Sequence, residues 1–262
     1  MIVLYVLLGV LGAVLAALIL FALVLIFSFI FVDENKEYKK RSPYHEWIID
    51  ILACLIIKVC NIKIVTSGLE KIPQDEKFLL VCNHRSFSEI VALRAVLRKY
   101  KFVFISKPEN FKIPFVNKLA RRIRFMEIDR ENPRNAMKTL IKAIDFIKAD
   151  EGSIAIFPEG TRSRDGKLGE FHDGVFKIAL KSGAPVLVTS VVGSEKVKKN
   201  MPFKRTVMYL DFIDCFHAEA GENSHDLAEK ARVLIQENIY AREGKPTEEV
   251  TQAPTPEQEK GE

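Results

Sequence analysis

The sequence predicts an α/β protein: a mixed, largely parallel sheet flanked by helices, with an N-terminal transmembrane helix and a second interfacial helix. Three observations carry that prediction. The first 32 residues contain no charged side chain. Between Ile62 and about Tyr240 short apolar runs alternate with stretches of helical periodicity, as in layered α/β domains. Between these parts, Tyr44–Asn61 repeats its apolar residues at helical spacing but is interrupted by charge.

The leading segment, residues 1–32, is too long for the apolar core of a signal peptide, and it has neither a basic leader nor a small-residue cleavage site. As a helix it would extend roughly 48 Å against about 30 Å of bilayer hydrocarbon, enough for one tilted span. Lys36, Lys39, Lys40 and Arg41 follow the span and no Lys or Arg precedes it. Positive charge stays on the cytoplasmic side, so a single-pass anchor with a cytoplasmic catalytic body is expected. Residues 33–61 form a juxtamembrane segment and a hydrophobic helix. Asp50 and Lys58 make it a poor full span, and Trp47 near its start suits a membrane interface.

The body, residues 62–242, offers seven strand candidates: Ile62–Thr66, Phe78–Cys82, Phe102–Ser106, Phe125–Ile128, Ser153–Phe157, Val186–Val192 and Thr206–Phe212. Helical stretches lie between them at Ser86–Lys99, Pro133–Lys148 and Gly174–Ser182, and Ser224–Tyr240 follows the last. The final stretch, 243–262, is rich in Glu, Pro, Thr and Gln and reads as a disordered acidic tail.

The net charge of +5 conceals an asymmetry. The tail carries six acids and two bases, whereas Arg94–Arg130 carries eleven Lys and Arg against three acids. Such a local positive field suits anionic lipid headgroups, phosphorylated substrates or an acidic carrier protein. No nucleic-acid-binding module accompanies it. The four cysteines show no Cys-x-x-Cys spacing and no disulfide framework.

Four short blocks follow apolar strands or form them. Asn83-His84-Arg85-Ser86-Phe87-Ser88-Glu89 comes directly after Phe78–Cys82 and opens a helix. A neutral imidazole accepts a hydroxyl proton near neutral pH, and an acid within reach would orient it. Glu89 is one helical turn on and fits that task, but Ser86 to Glu89 is equally a helix capping box. The sequence leaves both roles open. Phe157-Pro158-Glu159-Gly160-Thr161-Arg162-Ser163 offers a close-approach glycine, a guanidinium fork for phosphate and two hydroxyls. Glu159 would repel a phosphate, so holding the loop or binding an acceptor hydroxyl suits it better. Asp129-Arg130 supplies either a second phosphate contact or a surface ion pair. Ala184–Val188 reads as core or as an acyl-chain wall.

In this order the four blocks resemble the glycerolipid acyltransferase family, whose best-known members are the 1-acylglycerol-3-phosphate acyltransferases. The resemblance runs from about Lys71 to Val192, and Phe157–Ser163 is its most specific piece. Lys107, Glu109 and Pro114 also fit the family pattern. It implies direct transfer from acyl-CoA or acyl carrier protein to an acceptor hydroxyl of a lysophospholipid, without a cofactor or metal. His84 would be the general base, supported by Glu89. Glu159, Gly160, Thr161 and Arg162, with Arg130, would form the phosphate and acceptor site. Two positions depart from the family: Glu89 stands where Asp is usual, and Arg122-Ile123-Arg124 replaces a glycine before the Ile-Asp-Arg strand. Backbone amides near Arg85–Ser86 are the candidate oxyanion donors.

Two rivals follow from the same residues. A covalent route would use Cys82 or Ser88, although the chain has no Gly-x-Ser-x-Gly elbow. A catalytically inactive lipid-binding or scaffold protein would keep the fold with a degraded site, the substitution at Glu89 being its motive.

Overall fold

The computed structural model describes residues 1–30, 32–33, 36–113, 115–163 and 166–244. Pro114 and the expected tail from residue 245 onward lie outside them. Glu243, taken from sequence as the first tail residue, is the last residue of a helix.

All seven expected strands are present: β1 (Ile62–Ser67), β2 (Leu79–Cys82), β3 (Phe102–Ser106), β4 (Met126–Glu127), β5 (Ser153–Ile156), β6 (Val186–Val192) and β7 (Thr206–Phe216). They form one sheet in the order β1-β7-β6-β2-β5-β3-β4. β6, β2, β5, β3 and β4 run parallel, and β7 meets β6 antiparallel while pairing parallel with β1. The sheet is thus mixed and largely parallel.

The helices are α1 (Ile2–Ile30), α2 (Pro43–Val59), α3 (Ser88–Val96), α4 (Val116–Arg122), α5 (Pro133–Lys148), α6 (Lys177–Ser182), α7 (Val197–Asn200) and α8 (Ser224–Glu243). Local chemistry sets several ends. α2 stops where Asn61 takes φ +52°, a left-handed conformation Asn tolerates better than most residues. α5 begins at Asn132, whose side chain accepts from the Asn135 amide, with Pro133 in the first turn. Asn223 and Asp226 cap α8 reciprocally. Helices α4 and α7 were not expected. At seven and four residues they are too short to show a period above the surrounding basic composition.

Alternation along the strands builds two cores. Leu79, Val81, Ile154, Ile156, Val186 and Val188 face α5, α6 and α8. Leu80, Cys82, Phe102, Phe104, Ala155 and Leu187 face α3, with Ile57 of α2 against the same cluster. This α/β/α sandwich matters for function because adjacent β2 and β5 send the chain to opposite faces. β2 leads into α3, and β5 leads through Asp173–Phe176 into α6. A crevice therefore opens beyond the carboxyl ends of the parallel strands, where α/β proteins gather their chemistry.

α1 is long and apolar enough to cross a membrane, and its most apolar stretch is not buried against the body. Near its end Leu25 packs against Ile48 of α2 and Leu119 of α4. α2 packs on the body through Ile48 and Ala53, while Trp47, Leu55 and Val59 stay exposed. It is therefore both a packed helix and an apolar surface.

Candidate active site

Five parallel strands deliver their following residues to one cleft of about 1310 Å³. His84 follows β2, Gly160–Ser163 follow β5, Lys107 and Asn110 follow β3, Arg130 follows β4 and Glu195 follows β6.

His84 is held from every side. Its Nδ1 lies 2.7 Å from Oε2 of Glu89, which is fully buried. Its ring stacks on Phe157 at 4.1 Å between centroids and 20° between planes. Its own amide donates to Oε1 of Glu159 at 2.6 Å, and its carbonyl accepts from the Ser163 amide at 2.8 Å. The preceding residue, Asn83, pins the end of β2 to β6. Its Nδ2 donates to the Val191 carbonyl, and its Oδ1 accepts from the Val191 amide. A carboxylate facing Nδ1 takes the ring proton there, which leaves the Nε2 lone pair for the cleft.

Glu89 does both things the sequence allowed. Oε2 meets the imidazole, while Oε1 accepts from the amides of Arg85 at 2.7 Å and Ser86 at 2.8 Å. The hydroxyl of Ser194 also donates to Oε1, at 2.5 Å. This corrects two expectations. Ser86 does not complete a capping box, since its hydroxyl bonds Ser88 instead. The Arg85 and Ser86 amides are spent on Glu89 and point no donor at an oxyanion.

Glu159 is buried and turned inward. Its oxygens accept from the amides of His84 and Gly169, so it ties three loops together. Burial raises its pKa above the usual carboxylate range, offset in part by those two amide bonds, while the charge of Glu89 pushes it further up. Of the two tasks open to it, holding the loop is the one its bonds perform.

Gly160 has φ +74°, and a Cβ built there would lie 1.5 Å from Nη1 of Arg130. The glycine exists because the guanidinium crosses it. Burial lowers the Arg130 pKa, and among the described residues no carboxylate pairs with it. The surface ion pair considered for it is absent, and Asp129 instead accepts from the Glu131 amide. Arg162 is exposed on the rim, and Thr161 lines the same cleft. Two guanidiniums and the imidazole thus face one space.

Some motif residues lie elsewhere. Val186, Leu187 and Val188 are fully buried in the sheet and form core, not a cleft wall. Cys82 is fully buried, and burial, reinforced by the charges of Glu89 and Glu159, raises its thiol pKa well above the usual range. Its burial disfavours the reactive thiolate and denies access, while the Ser88 hydroxyl lies within hydrogen-bond distance of the Ser86 hydroxyl and the Ser194 carbonyl. The covalent route loses Cys82, which is walled off from the cleft. The basic block Arg94–Arg130 is not a uniform field either. Arg94 bonds Asp50, Arg124 pairs with Glu151, and Arg121 and Arg122 lie over Phe111 and Tyr38.

Sequence reasoning missed Ser194. The available signal was Gly193-Ser194 directly after β6, where Gly193 at φ +91° has a Cβ position blocked by the Val207 carbonyl at 2.5 Å. A forced turn after a parallel strand marks a site position.

The fold and this histidine–carboxylate cleft define an α/β protein with its chemistry at the ends of parallel strands. Residues 63–192 match the family model described as Acyltransferase, and this segment of the chain belongs to that family. It is 35% identical over 158 residues to the chloroplastic 1-acyl-sn-glycerol-3-phosphate acyltransferase BAT2 of Brassica napus, covering 60% of this chain and 45% of that protein. It is 34% identical over 141 residues to the 1-acyl-sn-glycerol-3-phosphate acyltransferase of Borreliella burgdorferi, covering 52% and 54%. The chain thus spans about half the length of the curated relatives it matches. A crystal structure of the 1-acyl-sn-glycerophosphate (LPA) acyltransferase PlsC from Thermotoga maritima superposes with a TM-score of 0.65 at 26% identity. That match covers 86% of this chain and 89% of that one.

Proposed function

We propose that this protein transfers a fatty acyl group from an acyl thioester to the free hydroxyl of 1-acylglycerol-3-phosphate or a related lysophospholipid, with His84 as general base. One observation carries the proposal: the His84 ring, fixed through Nδ1 by Glu89, lines the same cleft as the Arg130 and Arg162 side chains. A phosphate ester held by two guanidiniums presents its hydroxyl to Nε2. As the hydroxyl oxygen attacks the thioester carbonyl, Nε2 takes its proton and Glu89 supports the imidazolium. The tetrahedral adduct then collapses, expelling the thiolate, which takes the proton back from His84. The products are the ester and the free thiol. Either acyl-CoA or acyl carrier protein fits this chemistry, and no cofactor enters it.

The first few methylenes of the acyl chain have a place to go. An apolar recess of about 150 Å³ between α2, α3 and α4 shares Ile56, Phe87, Ile90, Val91 and Phe104 with the cleft. The inactive-scaffold alternative loses its motive, because Glu89 reaches His84 at ordinary hydrogen-bond distance. The basic residues after α1 support a cytoplasmic body.

The test is a panel. Purified full chain in bilayers is offered lyso acceptors with acyl-CoA and with acyl carrier protein, and products are read by mass. Phosphorylated lyso acceptors should be acylated, and His84→Ala, still folded, should not acylate them. Wild-type turnover by that variant would overturn the base assignment.

A further inference from the structure

One surface beside the cleft has no part in the reaction just described. Between α7 and β7 the chain turns at 200–205, and Phe203 at the tip is 95% exposed, more than any other large apolar side chain among the described residues. The turn is built rather than loose. The Lys204 amide donates to the Asn200 carbonyl at 2.8 Å, and the Met201 amide to the Val197 carbonyl at 2.9 Å. The Asn200 side chain donates to the Thr206 hydroxyl at 3.0 Å. A ring held in water by a fixed backbone is an apolar group awaiting a partner.

Charge surrounds it. Lys196, Lys198, Lys199, Lys204 and Arg205 stand within eleven residues against Glu195 alone. Among the described residues no carboxylate pairs with Lys198, Lys199 or Lys204. Of the block Arg94–Arg130, Arg94, Arg121, Arg122 and Arg124 are occupied with acids and rings, whereas these three lysines pair with no described carboxylate. The apolar tip is also not isolated. The Met201 sulfur lies 3.6 Å from the Cys60 sulfur, just past the end of α2. From there exposed Val59, Leu55 and Trp47 continue along α2 toward the end of α1.

We infer that the Asn200–Arg205 turn is a second membrane contact, inserting Phe203 among lipid acyl chains while its lysines engage anionic headgroups. An aromatic tip rimmed by lysine is the arrangement that binds an anionic bilayer surface. An acidic carrier protein would match the charge but not the protruding ring, nor its continuity with the apolar stripe that leads to α1. Val197, Lys198 and Met201 line the cleft itself, so docking seats the cleft's rim on the membrane. Resting on the acyltransferase reading, a lysolipid would then reach His84 from the bilayer without crossing water; the docking itself needs no turnover.

The test uses the full chain in bilayers of phosphatidylcholine with or without phosphatidylglycerol. Trp47→Phe removes the one native tryptophan, Phe203→Trp places a reporter at the tip, and Val233→Trp on α8 serves as a control in the same background. With anionic lipid, Trp emission at 203 should shift to the blue and be quenched by brominated acyl chains, while the control should do neither. Lys198→Glu with Lys199→Glu and Lys204→Glu should abolish the quenching. Water-like, unquenched emission at 203 in every bilayer would overturn the inference, whether or not the protein is active. Weaker use of acyl carrier protein by the triple variant, without quenching at 203, would assign the turn to that carrier instead and equally overturn it.

Discussion

Glu89 divides its carboxylate between two duties: one oxygen lies 2.7 Å from Nδ1 of His84, and the other holds the amides of Arg85 and Ser86 and the hydroxyl of Ser194. Glu89→Gln should separate them. The amide oxygen can keep accepting from the backbone, but its NH2 would then face Nδ1 and force the ring proton onto Nε2, where the base must be empty. The expected result is a loss of about 10²–10⁴-fold in kcat with little change in thermal unfolding. Unchanged turnover would mean that Glu89 serves only the loop.

Ser194 positions rather than reacts. Its hydroxyl is fully buried and donates to a buried carboxylate, a bond to a charged group worth about 1.5–3 kcal/mol. Ser194→Ala should lower stability by that amount. Because Glu89 keeps its backbone donors, kcat should fall modestly while the KM for acceptor stays unchanged. The split between kcat and KM separates positioning from binding. A rise in KM alone would place Ser194 in the acceptor site.

Arg130 and Gly160 are one unit. A methyl at residue 160 would occupy the guanidinium's position, and the left-handed backbone there adds strain of about 1–3 kcal/mol. Gly160→Ala should therefore mimic Arg130→Ala in kinetics while being less stable. Arg130→Ala loses a charge-assisted phosphate contact of about 1.5–3 kcal/mol, or roughly 10–100-fold in KM for a phosphorylated acceptor. An acceptor lacking the phosphate should not distinguish Arg130→Ala from wild type. Equal losses on both acceptors would remove Arg130 from the phosphate site.

The strands were legible because most are short apolar runs closed by Gly, Asn, Pro or charge, and a continuous run as short as Leu79–Cys82, buried at all four positions, suits a central parallel strand. The residues around His84 were legible as a strand-end cluster. Their division of labour was not, because it depends on contacts far apart in sequence. Ser194 lies 105 residues from Glu89, and the Glu159 bond to the His84 amide spans 75. Spacing cannot choose between Glu89 as cap and Glu89 as partner when two oxygens on one carbon can do both. Nor can composition tell a paired arginine such as Arg94 from an unpaired cation such as Lys199. That difference is made by Asp50, brought across from α2 by the fold.

Glu159 gives a pH signature with a definite sign. Burial raises its folded pKa above the ordinary 4.5, so in the window above 4.5 the folded protein binds more protons than the unfolded chain. Stability attributable to this group is then greatest in acid and declines as pH rises through that window. Glu159→Gln cannot titrate, so the difference in stability between wild type and variant should shrink as pH rises from 4.5. Thermal unfolding of both proteins across acid to neutral pH measures it, and parallel curves would refute the assignment. Activity should fall at every pH, because a glutamine offers one oxygen and an opposing NH2 to two donating amides, those of His84 and Gly169. Whichever amide is released, the loop joining Phe157 to Gly169 loses its tie. The His84 backbone then shifts relative to Arg162, so the variant should lose kcat and raise KM together.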